Sequence, residues 1–259
     1  MAEKLTIVKI GGKVIDEPEK LSVVLKEFAG LTGLKILVHG GGKKATLFLE
    51  KLNIPVKMID GRRITDAPSL DIVQMVYAGL INKNIVAELQ ADQCAAIGLS
   101  GADGNTILSH KRPVLSVDFG FVGDIEKVNT EALIKILKNG FIPVFCALTH
   151  DGKGQMLNTN ADTIASELGA ALSIYYDIDV IYCFEMQGVL KDLNNPDTII
   201  THITRTNYAE LKSEMIITNG MIPKIDNAFS ALDKGVKNVY IKHYLSLSDS
   251  QSGTRISEI

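Results

Sequence analysis

Leu5-Thr6-Ile7-Val8-Lys9-Ile10-Gly11-Gly12 is an apolar run that ends in two glycines, and that order decides the fold. A short apolar run bounded by turn residues reads as a buried strand. The glycines then fall at its carboxyl end, where open α/β sheets bind their ligands. Leu34-Lys-Ile-Leu-Val38, followed by His39-Gly40-Gly41-Gly42-Lys43, repeats the arrangement, and residues Lys43 to Leu52 can continue it as a helix. Backbone without side chains lets N–H groups approach an anion, and a helix N-terminus behind them adds a favourable dipole. Glycines after a strand also make plain turns. Two such loops, with Lys9 beside one and a third piece, Gly220-Met221-Ile-Pro-Lys224, that again joins flexible backbone to a cation, favour a polyphosphate.

Outward from these loops, strand-like runs at 5–10, 34–38, 94–99, 141–147, 173–183 and 237–241 alternate with segments of helical period. That alternation predicts an α/β fold, a three-layer αβα sandwich with helices covering both faces of a mostly parallel sheet. Leu70, Val73, Val76, Tyr77, Leu80 and Ile81 recur at spacings of three and four and predict a helix over about 69–91, with Pro68 near its first turn. A second helix is expected over about 160–172, with Asp162 in the first turn where the dipole favours a carboxylate. Ile107–His110 and Pro113–Val117, with Gly120 and Gly123 as turn residues, read as β-hairpins inserted into the α/β frame, and another hairpin is expected around 149–156. No linker, repeat or low-complexity tract divides the chain, so 1–259 is expected to be one domain.

With 259 residues, 46% of them hydrophobic, the chain can bury a large core. A net charge of −3 and the lack of any Lys/Arg run give no electrostatic reason to expect a nucleic-acid partner. Cys94, Cys146 and Cys183 are isolated thiols in apolar, strand-like settings and read as core residues in a reducing compartment. Histidines and cysteines show no ligand spacing, so no structural metal is expected. The chain passes straight into its first strand without a leader-like stretch, and no apolar run reaches the roughly 18 residues that span a membrane. A cytoplasmic protein without a membrane partner is expected.

Gly40-Gly-Gly-Lys-Lys-Ala45 satisfies a G-x-G-x-x-A dinucleotide fingerprint, with Asp60 about twenty residues on, which raises a dehydrogenase reading. That fingerprint normally follows the first strand of its unit, and here a complete strand and glycine turn come earlier and would be left unexplained. No G-x-x-x-x-G-K-[ST], HRD or DFG is present, so P-loop and protein-kinase readings fall away.

The pieces together resemble the amino acid kinase family almost end to end. The likeness includes Lys9-Ile-Gly-Gly12, Val38-His-Gly-Gly-Gly42, Gly61-Arg-Arg-Ile-Thr65, Ala78-Gly-Leu-Ile-Asn-Lys83, Gly98-Leu-Ser-Gly-Ala-Asp-Gly104, Asp118–Asn129, Asn158-Thr-Asn-Ala-Asp162, Gly220-Met-Ile-Pro-Lys224 and Gly253-Thr-Arg255. Any one piece is weak, whereas the combination and its order are specific. The resemblance implies phosphorylation of the side-chain carboxylate of N-acetyl-L-glutamate by ATP, with Mg2+ carried on the nucleotide, in the acetylated arginine route. The N-terminal half is then expected to bind the acyl-amino acid and to dimerise, and the C-terminal half to bind ATP.

By the same resemblance Lys9 and Lys224 are the catalytic lysines and Asp162 is the carboxylate that holds both in place. Arg63 grips the substrate's α-carboxylate with Asn158 as a second contact. Gly41 and Gly42 bind substrate and the moving phosphoryl group, Gly11 and Gly12 the γ-phosphate, and Glu185, Gly188, Gly220 and Met221 belong to the nucleotide side. His39 is expected to be a packed, hydrogen-bonded histidine. The chain departs from the family at Phe184-Glu185-Met-Gln-Gly188, where relatives usually read Thr or Ser, Asp, Val, any residue, Gly. Asn219 likewise stands where Gly or Asp is common. Arginine-sensitive members carry an additional N-terminal helix, and the short lead before Lys9 predicts an arginine-insensitive homodimer with its contact on the 69–91 helix. The competing readings are a sister kinase for N-succinyl-L-glutamate or another small acid, and a nucleotide-binding sensor without turnover.

Overall fold

The computed structural model describes residues 2–258 except 60, 193, 194, 196, 218–220 and 250, and for Pro223 the backbone alone. Asp60, Asn219 and Gly220, each singled out above, therefore lie outside the described residues. Along the first half run β1 (Lys4–Ile10), α1 (Lys13–Asp16), α2 (Pro18–Gly30), β2 (Leu34–His39), α3 (Gly42–Lys51), β3 (Met58–Ile59), β4 (Arg62–Arg63), α4 (Ala67–Gln74), a π-helical segment (Met75–Ile81), α5 (Asn82–Ala91), β5 (Ala96–Leu99), β6 (Ile107–Lys111) and β7 (Gly123–Val128). There follow α6 (Thr130–Lys138), β8 (Ile142–Cys146), β9 (Leu148–His150), β10 (Met156–Asn158), α7 (Ala161–Leu172), β11 (Asp177–Phe184), β12 (Val189–Leu190), β13 (Ile199–Ile200), β14 (His202–Ile203), α8 (Arg205–Ser213), α9 (Ile222–Asp233), β15 (Asn238–His243) and β16 (Thr254–Ile256).

The chain forms two compact units, Met1–Ile36 with Ala165–Ile259, and Leu37–Ile164. In the first unit the strands lie in the order β14-β16-β15-β11-β1. β1 and β11 are parallel with Lys9 opposite Tyr182 and Ile10 opposite Cys183, β11 and β15 are parallel, and β16 runs antiparallel to β15. Leu5, Ile7, Val8, Ile10, Val180, Ile181 and Val239 are buried, as strands covered on both faces require. Lys35 is buried as well, and its ammonium donates to the carbonyls of Ala29 and Leu31 at 2.6 and 2.9 Å, closing the end of α2.

In the second unit β8 pairs in parallel with both β2 and β5, placing His39 opposite Cys146. A separate sheet runs β10-β9-β6-β7, in which β6 and β7 are antiparallel and so are β9 and β10. The inserted hairpins are therefore present. Their composition differs from expectation in one place. Pro113–Val117 forms no strand, and Val114 and Leu115 stand exposed, because Pro113 has no N–H to give a ladder and Arg112 has already turned its own N–H to Val122 at 2.8 Å. β7, over Gly123–Val128, is the partner that β6 takes instead.

Two further boundaries moved for local reasons. Residues 173–176 were expected to start a strand, but the Tyr175 and Tyr176 N–H groups donate to the Leu172 carbonyl at the end of α7, so the strand starts at Asp177. Cys94 precedes β5 and donates its N–H to Leu89 at the end of α5. All three cysteines are free and buried. Helical structure does run through 67–91, started by Asp66, whose carboxylate accepts from Ser69 N–H at 2.9 Å with Pro68 in the first turn. Its middle, however, is π-helical.

Candidate active site

In the first unit the candidate residues gather at the carboxyl ends of β1 and β11. Lys9, the penultimate residue of β1, is 7% exposed. Gly11 allows this, since a Cβ there would stand 2.5 Å from the Lys9 ammonium nitrogen. Gly12, at φ 59 and ψ −142, begins α1 from a backbone conformation that side chains rarely adopt. Lys224 lies in the first turn of α9, its N–H bonded to the carbonyl of Met221 at 3.0 Å, and Met221 stands at the N-cap. The ammonium groups of Lys9 and Lys224 both face the ring of Phe184, at 5.2 and 3.8 Å from its centroid. Lys9, Lys224 and the glycine turn are therefore near one another in this unit.

Glu185 is engaged elsewhere in the same unit. Its carboxylate pairs with Lys20 at 2.5 Å and lies 3.9 Å from Lys13, so it links the start of the 185–188 loop to α1 and α2. Glu17 and then Glu185 hold the Lys20 ammonium above its ordinary range. Gly188 is a packing position, where a Cβ would meet Thr254 Oγ1 at 2.7 Å, and Thr254 Oγ1 accepts the N–H of Val189 at 2.8 Å. Burial pushes the Cys183 thiol up to about 12 despite the nearby Lys9, so it is no nucleophile at neutral pH.

The second unit holds the second glycine loop. Gly41 has φ 155, and a Cβ on it would come within 2.4 Å of Ile81 Cδ1 and 3.0 Å of Tyr77 Cδ1. Gly42 opens α3. Tyr77 and Ile81 both come from the π-helical segment, so that widened turn is what presses on the glycine loop. Burial raises the Tyr77 phenol, with the Arg63 guanidinium beside it acting in the opposite direction.

Arg63 lies on β4, 7% exposed. Its Nη2 donates to Gly42 O at 2.9 Å and Thr46 Oγ1 at 2.7 Å, whereas its Nη1 is buried without a partner among the described residues. Asn158, ending β10, donates to Thr65 Oγ1 at 2.9 Å. Asp162 is in the first turn of α7, where Asn160 Oδ1 accepts the N–H groups of Asp162 and Thr163 at 2.8 and 3.1 Å.

His39 is fully buried, and its tautomer follows from its neighbours. Asn82 Nδ2 donates to the Val144 carbonyl at 2.9 Å and Asn82 Oδ1 accepts from Lys83 at 3.2 Å, which fixes the amide's orientation. The Nδ2 group therefore presents a donor to His39 Nε2 at 3.0 Å, and Nε2 carries no proton. The proton is on Nδ1, which donates to Gly40 O at 2.8 Å. Burial lowers the His39 pKa to about 4, and the charge on Lys83 acts in the same direction. The expected packed histidine is present, with the added result that it holds the first glycine of the loop. Sequence reading missed this network and the role of Tyr77. Asn82 lay within a quoted motif, but nothing linear joins it to His39.

Lys9 at a strand end and Lys224 in the first turn of a helix are cations suited to phosphate oxygens, each unit has a glycine loop whose N–H groups suit an anion, and the chemistry is that of a phosphotransferase. The chain belongs to the amino acid kinase family, whose model matches residues 4–243. Its fold is that of the family, mixed α/β with a mostly parallel central sheet. It is 52% identical over 258 residues to an acetylglutamate kinase of Phocaeicola vulgatus, covering 100% of both chains. It is 55% identical over 240 residues to an acetylglutamate kinase of Cytophaga hutchinsonii, covering 92% of this chain and 91% of that one. Among solved structures, a Streptococcus mutans UA159 protein aligns with TM-score 0.80 and 27% identity over 98% of each chain.

Proposed function

We propose that this chain transfers the γ-phosphoryl group of ATP to the γ-carboxylate of N-acetyl-L-glutamate, as the second step of the acetylated arginine route. The observation that carries the reading is Arg63. Its guanidinium is already desolvated and fixed by Gly42 and Thr46, yet one terminal nitrogen is left for a ligand. A buried cationic donor without a partner is costly unless a ligand completes it, and the α-carboxylate of an acylated amino acid has the matching charge. Asn158 supplies an amide at the same end of the substrate.

The acceptor carboxylate has an ordinary pKa of about 4.3 and is already ionised at neutral pH. No general base is required. An oxygen of that carboxylate forms a bond to the γ-phosphorus while the bond from phosphorus to the bridging oxygen breaks and ADP departs. The obstacle is repulsion between anions, so catalysis consists of positioning and positive charge. Lys9 and Lys224 supply that charge, Asp162 is the carboxylate of the catalytic set, Gly11 and Gly12 offer N–H groups to the γ-phosphate, and Gly41 and Gly42 do so toward the acceptor. Glu185 acts by fixing its loop through Lys13 and Lys20, with Gly188, Gly220 and Met221 on the nucleotide side.

The donors that Lys9, Lys224 and the glycine turn offer are cations and N–H groups, which suit phosphate oxygens. Among the described residues no cluster of three or more His, Cys, Asp or Glu could hold a metal ion. Mg2+ would be held by the phosphate oxygens of ATP and water, and when bound it neutralises charge on the transferring phosphates. No helix among the described residues is long and apolar enough to cross a membrane, and the reading places the enzyme in the cytoplasm. A homodimer is part of the proposal. Met75 and Leu80 of the π-helical segment are 65% and 38% exposed, and hydrogen bonding at i to i+5 brings them onto one face. An apolar face of this kind fits a second copy of the chain.

The test is ATP-dependent acyl phosphate formation, trapped as the hydroxamate, with N-acetyl-L-glutamate, N-succinyl-L-glutamate and free glutamate compared under identical Mg2+. Turnover with the acetyl compound, and a rise of about tenfold or more in its KM for Arg63→Lys with the KM for ATP unchanged, is the expected result. Turnover with the succinyl compound alone would transfer the mechanism to a different acceptor. ATP binding without turnover of any of the three would sink the assignment.

A further inference from the structure

Phe184 ends β11, which is hydrogen-bonded between β1 and β15, and its own carbonyl accepts the Tyr244 N–H at 3.0 Å, so the backbone that carries the ring is fixed. Two ammonium groups from different elements face this ring. Lys224, from α9, is 3.8 Å from the ring centroid, and Lys9, from β1, is 5.2 Å away. Both distances are within the roughly 6 Å over which the ring quadrupole attracts a cation. The neighbouring Glu185 is turned to Lys20 and Lys13.

An aromatic face differs from a carboxylate in how it holds a cation. A carboxylate takes an ammonium group by its charge and its protons. A ring attracts it through its quadrupole and carries no charge of its own. That attraction adds to the other interactions of the two ammonium groups, and it acts on both from one fixed point.

We propose that Phe184 is a positioning residue for phosphoryl transfer, its ring gathering the Lys9 and Lys224 ammonium groups into the arrangement the transferring phosphoryl group needs. The inference rests on the reading of those two lysines as the ones that handle the phosphoryl group. It makes the side chain at this position more than filler. Its shape could be copied by an aliphatic residue, but its quadrupole could not.

The experiment replaces Phe184 by Leu, by Tyr and by phenylalanines carrying one, two or three ring fluorines, which weaken the quadrupole stepwise at nearly constant shape. Each variant is assayed for kcat and for both KM values, with thermal unfolding as the control for folding. The expected result is a stepwise fall in kcat with fluorine number, about tenfold at three fluorines, with Tyr close to the parent and the KM for the acyl-glutamate unchanged. A Leu or trifluoro variant that folds and turns over like the parent overturns the proposal. A second readout does not depend on the acceptor. The ε-methylene protons of Lys224 should show an upfield ring-current shift in NMR spectra of the full chain, lost in Phe184→Leu. If no acyl acid turns over, the function reading fails by itself while that shift still decides the geometry. Lys224 resonances equal in the parent and Phe184→Leu overturn the gathering role.

Discussion

Arg63 and His39 show how much of this site is settled one residue at a time. Arg63 is buried with Gly42 and Thr46 accepting from one of its terminal nitrogens, and in the proposed function the other nitrogen is the donor offered to a carboxylate. His39 is held neutral, with its pKa lowered to about 4 from 6.5 by burial and by the adjacent Lys83. The unfolded chain therefore takes up a proton as pH falls below about 6.5, while the folded chain does not until about 4. The contribution to stability is intact above the upper value and is lost progressively toward the lower one, reaching about 3 kcal/mol at full extent. Urea unfolding measured from pH 7.5 to 4 should show that loss, and His39→Asn should flatten the curve while retaining an amide donor for Gly40. An unchanged pH dependence in the variant would assign the acid sensitivity to other groups.

At the level of the element, the π-helical turn sets the packing of the glycine loop. It joins α4 to α5 without a break, and its register sends Tyr77 and Ile81 inward against Gly41 while Met75 and Leu80 face outward. Gly41 has to lack a side chain for both reasons that glycine is ever required, its positive φ and the lack of room. Gly41→Ala is expected to cost about 1–3 kcal/mol by overpacking and to raise the KM for the acyl-glutamate. Adding Ile81→Val removes the nearest carbon and should recover part of the stability loss, a coupling that a double-mutant cycle by chemical denaturation would detect. Additive effects would place the strain in the backbone alone. Sequence periodicity found this helix and its neighbours because a buried stripe is a local pattern. It could not find the extra residue in the turn, since the choice between i to i+5 and i to i+4 backbone bonding there depends on what packs against it.

For the molecule as a whole, the proposed dimer uses the outward side of that same turn. A dimer formed there should sediment at twice the 28.1 kDa of the chain. Met75→Glu with Leu80→Glu would put two like charges on each copy of the face and should give monomers. A dimer that survives both substitutions would move the contact to another surface. The two compact units also divide the proposed work. The unit made from Met1–Ile36 and Ala165–Ile259 carries both lysines and the first glycine turn, and Leu37–Ile164 carries Arg63, Asn158, Asp162 and the second glycine loop. The glycine turn at Gly11 and Gly12, early in the chain, thus belongs to the same unit as α9, which a reading by sequence halves would separate.

The amino-acid sequence by itself determined the strands that end in glycine, the helices between them, the free buried cysteines and the family, because each of these is written in short-range patterns and their order. Pro113–Val117 looked like a strand because its alternation is right, and only the competition for pairing with β6 shows that Gly123–Val128 takes that place. The same limit applied to the site. Lys9 and Arg63 could be singled out from their motifs, but the tautomer of His39 needed Asn82 forty-three positions away, and the ring of Phe184 acquired its meaning only when β1 and α9 brought two lysines to it. Tertiary structure decided these features because hydrogen bonds and quadrupole attractions depend on distances between side chains, and those distances exist only once remote segments have packed.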